Sequence, residues 1–214
     1  MMDIPEKGAK LQLDGKFAII PHIPGGMLDA ETLNEISKVA EKYELTLKIT
    51  SATRIALIGI EKEDIDKIWE ELDMKIGGFN GKCVKSAKFC LGTTHCNKGL
   101  QDSVKLGLEI NKTFLGIETP NKVKIGISGC SNSCSQSAFK DIGLIGTKNG
   151  WKILIGGNGG RKPKIGDLLN KDLSNEEAID FINRVISYYR KQDTKKRLGG
   201  LIDHRGWYEF IEGL

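Results

Sequence analysis

The chain has 214 residues, 39% of them hydrophobic, enough for the core of one large domain or two small ones. Even its most apolar run, RIALIGI, has only strand length, which excludes a membrane-spanning helix. Its net charge of +4 comes from interspersed Lys, Arg, Asp and Glu, a pattern that excludes a general nucleic-acid surface.

The opening MMDIPEKGAKLQLDGK is charged and lacks the apolar stretch of an export leader, so a soluble, cytoplasmic protein with reduced thiols is expected. Residues 17–20 then read as a short apolar strand ending at the loop PHIPGG. Leu33, Ile36, Val39, Ala40 and Tyr43 recur at helical spacing behind Asp29, a candidate N-cap. Leu45, Leu47 and Ile49 alternate as a strand, and residues 54–60 form another after the polar turn TSAT. Ile65, Ile68, Trp69 and Leu72 mark a second amphipathic helix. Strand, helix, strand, strand, helix is the order of a small ferredoxin-like α/β sandwich. GGFNGKC, at 77–83, reads as a hinge or loop into the second half.

That half carries the chemistry. Four of the five cysteines form two tight pairs, Cys90 with Cys96 in FCLGTTHC and Cys130 with Cys134 in SGCSNSC. Four thiolates converging from two loops suit a 4Fe-4S cluster. Zinc knuckles usually place two to four residues between paired cysteines, so CxxxxxC is wide for zinc. Disulfides require an oxidising compartment. His95 beside Cys96 keeps thiol chemistry open, and Cys83 has no assignment.

After Cys96 a helix is expected with Asn97 as cap and Leu100, Val104 and Leu108 on its buried face, which would put Cys96 at its electropositive N-terminus. Val123, Ile125 and Ile127 alternate into Cys130 as a strand, followed by strands at 142–145 and 151–155 and the loop GGNGGRKPK. That loop is followed by Arg161, Lys162 and Pro163 instead of a helix start, so it does not fit a dinucleotide fingerprint; its glycines allow close approach of a large flat ligand. Ser174 and Glu177 form a capping box before a helix that buries Ile179, Ile182, Ile186 and Tyr189. The basic run KQDTKKR reads as a solvated helix end, and Trp207, Phe210 and Ile211 mark a short closing helix.

The run CLGTTHCNKGLQDS, then TPNKVKIGISGCSNSC, FKDIGLIG and GGNGG, resembles the siroheme and 4Fe-4S region of the nitrite and sulfite reductase family. It is especially similar to the siroheme segment in the large subunit of nitrite reductases. Upstream, GGMLDAETLNEISKVAEKYELTLKITSATRIALIGI is similar to that family's ferredoxin-like half domain. The resemblance implies an α+β chain with a ferredoxin-like α/β sandwich half domain at 1–78 and an α+β siroheme and 4Fe-4S domain at 79–214.

It implies a 4Fe-4S cluster held by Cys90, Cys96, Cys130 and Cys134, and a siroheme whose iron the Cys134 sulfur bridges. Asn132, Gly157 and Asn158 would meet the cofactor. Arg54, Lys85, Lys122 and Lys124 would face the anionic substrate or the macrocycle, with Lys88 a weaker candidate. Physical chemistry agrees, because a polycarboxylate macrocycle and an oxyanion both require cations in a partly desolvated pocket, and lysine can supply protons.

The implied reaction is six-electron reduction of sulfite to sulfide or nitrite to ammonium. Electrons would come from an external ferredoxin or reductase subunit, since no flavin or nicotinamide site is legible. Ala52 stands where sulfite reductases carry an arginine in a TTRQ-like sequence, so the anion clamp is altered or moved to Arg54. Assimilatory enzymes of full length contain two copies of this unit and the present sequence one, for which a homodimer is the simplest repair. A 4Fe-4S electron-transfer or redox-sensing subunit without substrate chemistry is the alternative.

Overall fold

In the N-terminal unit, Met1–Gly81, the two hydrophobic periods produce the elements expected of them. The computed structural model describes residues 2–77 and 81–214, so the hinge read into GGFNGKC falls partly outside the described residues, at 78–80. Asp29 accepts from Thr32 N–H and starts α1 (Ala30–Lys42), which buries Ile36, Val39 and Ala40. Leu33, expected on that face, is 48% exposed. Strands β1 (Lys10–Leu11), β2 (Phe17–Ile19), β3 (Thr46–Ile49) and β4 (Ile55–Ile60) form an antiparallel sheet in the order β1-β2-β4-β3. The two-residue β1 was not legible in the sequence. Helix α2 (Ile65–Leu72) closes one core with α1, in which Phe17, Ile19, Leu57, Ile60, Ile65 and Ile68 are almost wholly buried.

The second unit, Lys82–Leu214, is built on a five-stranded sheet whose spatial order follows the chain: β5 (Lys88–Phe89), β6 (Ile125–Ser128), β7 (Ile142–Thr147), β8 (Gly150–Ile155) and β9 (Asp167–Leu173). The first three strands are parallel and the last two antiparallel. Strand β9 was not expected; DLLNKDL has no clean alternation, and its pairing with β8 makes it a strand.

The helices are α3 (Gly92–His95), α4 (Ser103–Phe114), α5 (Asn175–Arg190), α6 (Leu198–Arg205) and α7 (Trp207–Glu212). Phe89, Ile125, Ile127, Ile142, Leu144 and Ile153 share a core with Leu106, Ile110 and Phe114 of α4 and with Ile182, Val185 and Ile186 of α5. On the other face of the sheet Lys88, Gly126 and Gly143 stand in register. Across them passes the 3-10 turn Ser137–Phe139, the later part of the connection from β6 to β7. Glycine is required for this: a Cβ at Gly143 would lie 2.1 Å from Ser137 O.

Two sequence readings are corrected here. Helix α4 begins at Ser103, not Asn97, because the Asp102 carboxylate accepts from both Val104 and Lys105 N–H. Its buried face is therefore Leu106, Ile110 and Phe114, whereas Leu108 is 46% exposed and Leu100 lies outside the helix. The Ser174 to Glu177 capping box is present as expected, opening α5.

Tyr189 of α5 is fully buried, and its hydroxyl donates to Lys196 O at 2.6 Å, tying α5 to the chain before α6. Burial, then the nearby Asp141 charge, pushes the phenol up to about 12. A folded pKa above the unfolded value of about 10 means that the protonated phenol favours the fold. That contribution is complete below pH 10 and is lost as pH rises toward 12. Tyr189→Phe should lose about 1 kcal/mol at neutral pH and show a shallower fall in Tm above pH 10 than the parent chain, as read by thermal unfolding across alkaline buffers.

Candidate functional site

Both cysteine loops leave the carboxyl ends of neighbouring parallel strands, Phe89 of β5 running into Cys90 and Ser128 of β6 running through Gly129 to Cys130. In parallel sheets ligands collect at this end. The two loops are locked backbone to backbone: a Cβ on Gly129 would stand 2.7 Å from Gln101 O and 2.8 Å from Gly92 Cα. Gly129 O accepts from Leu100 and Gln101 N–H.

The lock reaches the thiols. Gly129 N–H donates to Cys90 Sγ at 3.1 Å, and Ser103 Oγ, which donates to Cys90 O at 2.8 Å, lies 3.3 Å from the same sulfur. Cys90, Cys96 and Cys130 are half-buried, Cys134 is exposed, and all four are free thiols. Cys96 is not at a helix N-terminus; it is the C-cap of α3, and its N–H donates to Gly92 O at 2.9 Å.

Ser133 and Gln136 take left-handed backbone, with φ of 50 and 56 degrees, which folds residues 130–136 into a tight loop. Inside it the Ser133 and Ser135 hydroxyls are buried without a partner. Buried polar atoms are normally satisfied, so these are available to an acceptor such as thiolate or sulfide. Among the described residues no three His, Cys, Asp or Glu side chains are grouped for a single metal ion. A tetrahedral zinc would need its thiolates about 3.8 Å apart, from bonds of about 2.3 Å; a cluster separates its thiolates more widely, with several irons between them. The donor set, the lock and the unpartnered hydroxyls fit a 4Fe-4S cluster.

Two of the expected cations stand apart from the thiols within the second unit. Lys122 and Lys124 are exposed and precede β6, whereas Cys130 follows it. At about 3.3 Å per residue, Lys124 and Cys130 stand on the order of 15–20 Å apart along the chain. Lys85 is half-buried, and its Nζ donates to the Cys83 sulfur at 3.3 Å, which places that fifth, buried thiol beside a lysine. Arg54, in the other unit, is only 8% exposed and donates to Gly77 O at 2.8 Å. Asn132 is exposed in the loop between Cys130 and Cys134.

Gly157 packs on the β6 to β7 connection, where a Cβ would meet Lys140 O at 2.5 Å. The Asn158 side chain is engaged within the chain, accepting from Arg197 Nη1 at 2.9 Å and donating to Lys162 O at 3.0 Å.

A second constellation lies at the amino ends of the parallel strands. Asp141, wholly buried, receives Arg197 Nη2 at 2.5 Å and Nε at 3.2 Å, and Lys124 N–H at 2.8 Å. Burial pushes its carboxyl up, opposed chiefly by Arg197. Burial, then Lys88 and Lys124, holds the Lys140 amine below its ordinary value, while Asp141 opposes. Sequence reasoning missed Asp141, Lys140 and Arg197, having read Arg197 as part of a solvated run. The available signal was an acid placed directly before a fully apolar strand, which requires a cation.

The comparisons follow the same division of the chain. Residues 80–214 match the nitrite and sulphite reductase 4Fe-4S domain, and residues 10–75 the nitrite/sulfite reductase ferredoxin-like half domain. An assimilatory-type sulfite reductase of Nitratidesulfovibrio vulgaris is 42% identical over 209 residues, 96% of this chain and 95% of that protein. A nitrite reductase [NAD(P)H] of Bacillus subtilis is also 42% identical, over 184 residues, but those cover 86% of this chain and only 23% of that protein. Among solved structures, dissimilatory sulfite reductase I aligns with a TM-score of 0.81 at 16% identity, covering 92% of this chain and 68% of that one, which shows a shared fold. With its cysteine loops, its preceding half domain and these matches in agreement, the chain belongs to the nitrite and sulphite reductase family.

Proposed function

We propose that this chain catalyses the six-electron reduction of sulfite to sulfide or of nitrite to ammonium, with Cys90, Cys96, Cys130 and Cys134 holding its 4Fe-4S cluster and Cys134 linking that cluster to siroheme. Cluster and siroheme are the cofactors of the family. The observation that carries the assignment is the lock between Gly129 and Gly92, which presents both cysteine pairs at one end of one sheet. Cys134 suits the bridging position because it alone of the four is exposed. Asn132 lies on the same exposed loop, and Gly157 and Asn158 would bound the cofactor from the side of the β6 to β7 connection.

When bound, the two centres supply electrons to the oxyanion one at a time. The chain's own contribution is to bind anions and to supply protons as oxygen leaves as water. Lys85, Lys122, Lys124 and Arg54 are the cations assigned to that work. Lys122 and Lys124, across the length of β6 from Cys130, serve it through carboxylates at the edge of a wide macrocycle or in a site completed by a second copy.

Electrons come from an external ferredoxin or reductase subunit. A Bacillus subtilis relative described as an assimilatory nitrate reductase electron transfer subunit, 29% identical over 81% of this chain and covering 22% of its own length, supports a role beside a partner. The test is anaerobic reconstitution followed by methyl-viologen-dependent consumption of sulfite and nitrite in parallel assays. Siroheme absorption with turnover of either anion is expected; about four irons per chain with no tetrapyrrole and no turnover would establish an electron carrier instead.

A further inference from the structure

The parallel strands β5, β6 and β7 end side by side, and the two cysteine loops leave the first two of them. Gln101, half-buried in the first loop just before the Asp102 N-cap of α4, ties both to the third. Its main chain belongs to the lock between the loops: Gln101 N–H donates to Gly129 O at 3.1 Å, and Gln101 O accepts from Thr93 N–H at 3.2 Å and Ser103 N–H at 3.1 Å. Any residue except proline could make those bonds. The side chain reaches further, with Nε2 donating at 2.9 Å to the carbonyl of Thr147, the last residue of β7.

Thr147 is a firm anchor. It pairs with Gly150 across the β7–β8 hairpin, its hydroxyl donates to Gly150 O at 3.1 Å, and the next pair along sets Gly146 opposite Trp151, which is 1% exposed in the core of this unit. The approach of the hairpin to the loops is as close as glycine permits. A Cβ on Gly146 would stand 2.5 Å from Gly129 O and 2.9 Å from Gln101 Cβ. The ends of β6 and β7 and the loop from β5 therefore meet at Gln101.

We propose that Gln101 is a positioning residue for the 4Fe-4S cluster: through its hydrogen bond to Thr147 O, the β7–β8 hairpin holds both cysteine loops at the spacing that the cluster requires. The inference rests on the proposed ligand set, Cys90, Cys96, Cys130 and Cys134. Four thiolates from two loops share one cluster only while the loops keep a fixed separation, and binding constellations tolerate displacements of only about 0.5 Å. The N–H groups of Leu100 and Gln101 fix the loops to each other, whereas Gln101 Nε2 fixes the joined loops to the hairpin. Without that bond the thiolates should fluctuate more widely and release iron sooner.

The experiment uses the full chain, reconstituted anaerobically. Loss of the cluster to a ferrous-iron chelator is followed by its visible absorption, and the electron paramagnetic resonance spectrum of the dithionite-reduced cluster is recorded in parallel. Gln101→Ala should lose its cluster about tenfold faster than the parent chain, the lower end of what removal of an outer-shell partner costs a metal site, and should give a broadened spectrum. Gln101→Glu keeps the length of the side chain but sets an acceptor against Thr147 O, so it should lose the cluster at least as fast; it carries the comparison if Gln101→Ala does not fold. Gln192→Ala is the control. Gln192 Nε2 donates to Tyr188 O at 3.0 Å at the end of α5, the same kind of bond in a different part of the chain, and its loss should leave rate and spectrum unchanged.

A cluster held as long by both Gln101 variants as by the parent, or lost just as fast from Gln192→Ala, overturns this inference and leaves the proposed function standing. A parent chain that assembles no cluster overturns the proposed function, and this inference with it.

Discussion

Replacing Cys134 by alanine should abolish reductase activity, because the most exposed of the four clustered thiols is the one assigned to both centres. Anaerobic reconstitution of the parent chain should give about four irons and as many sulfides. Cys90→Ala, Cys96→Ala and Cys130→Ala should each fall well short of that content. Activity should drop by more than the roughly ten- to hundredfold typical when only an outer-shell partner of a metal site is lost.

Cys90 carries a further expectation: since Gly129 N–H and Ser103 Oγ both approach its sulfur, Cys90→Ser, whose harder oxygen ligand suits the cluster poorly, should assemble at best an unstable centre. Cys83→Ser is the control. That thiol is buried beside Lys85, and its replacement should preserve the iron content. A Cys134→Ala chain with full cluster, siroheme absorption and undiminished turnover would remove the bridging assignment.

The largest effect on stability is expected at Asp141. This wholly buried carboxylate is gripped by two nitrogens of Arg197 and by Lys124 N–H, so it joins the start of β7 to the N-cap of α6 and to the chain entering β6. Asp141→Ala leaves the guanidinium without its partner. Breaking a buried pair in this way costs about 3–5 kcal/mol, to be read as a lower denaturant midpoint with an unchanged slope. Removing both charges should cost less than the sum of the single losses, because Asp141→Leu with Arg197→Leu leaves no orphaned ion. A single variant as stable as the parent would show that the pair contributes nothing to the fold.

Much of this architecture was legible in the residues. Asp29, with the spacing of Ile36, Val39 and Ala40, specified α1, and Ser174 with Glu177 specified the start of α5, since caps and hydrophobic periods act over a few neighbouring residues. The α4 reading slipped because Asn97 and Asp102 are both plausible caps, and the carboxylate that reaches two N–H groups starts the helix. Strand β9 escaped notice because its order comes from pairing with β8 and not from its own alternation. Arg197 was read as solvated because a basic run gives no hint that one member reaches a buried acid far back in the chain.

The cysteine pairs, their glycine and serine surroundings and the preceding half domain were enough to point to the family and its cofactors, because those features are local and chemically specific. Tertiary folding settled the rest. It brought the two loops together through Gly92 and Gly129, put Cys96 at the end of a short helix instead of the start of a long one, and left Lys124 and Cys130 at opposite ends of β6. It also buried Arg54 and tied its guanidinium to Gly77 O. Which side chains share a site depends on strand direction and on contacts between distant segments, and spacing along the chain does not encode either.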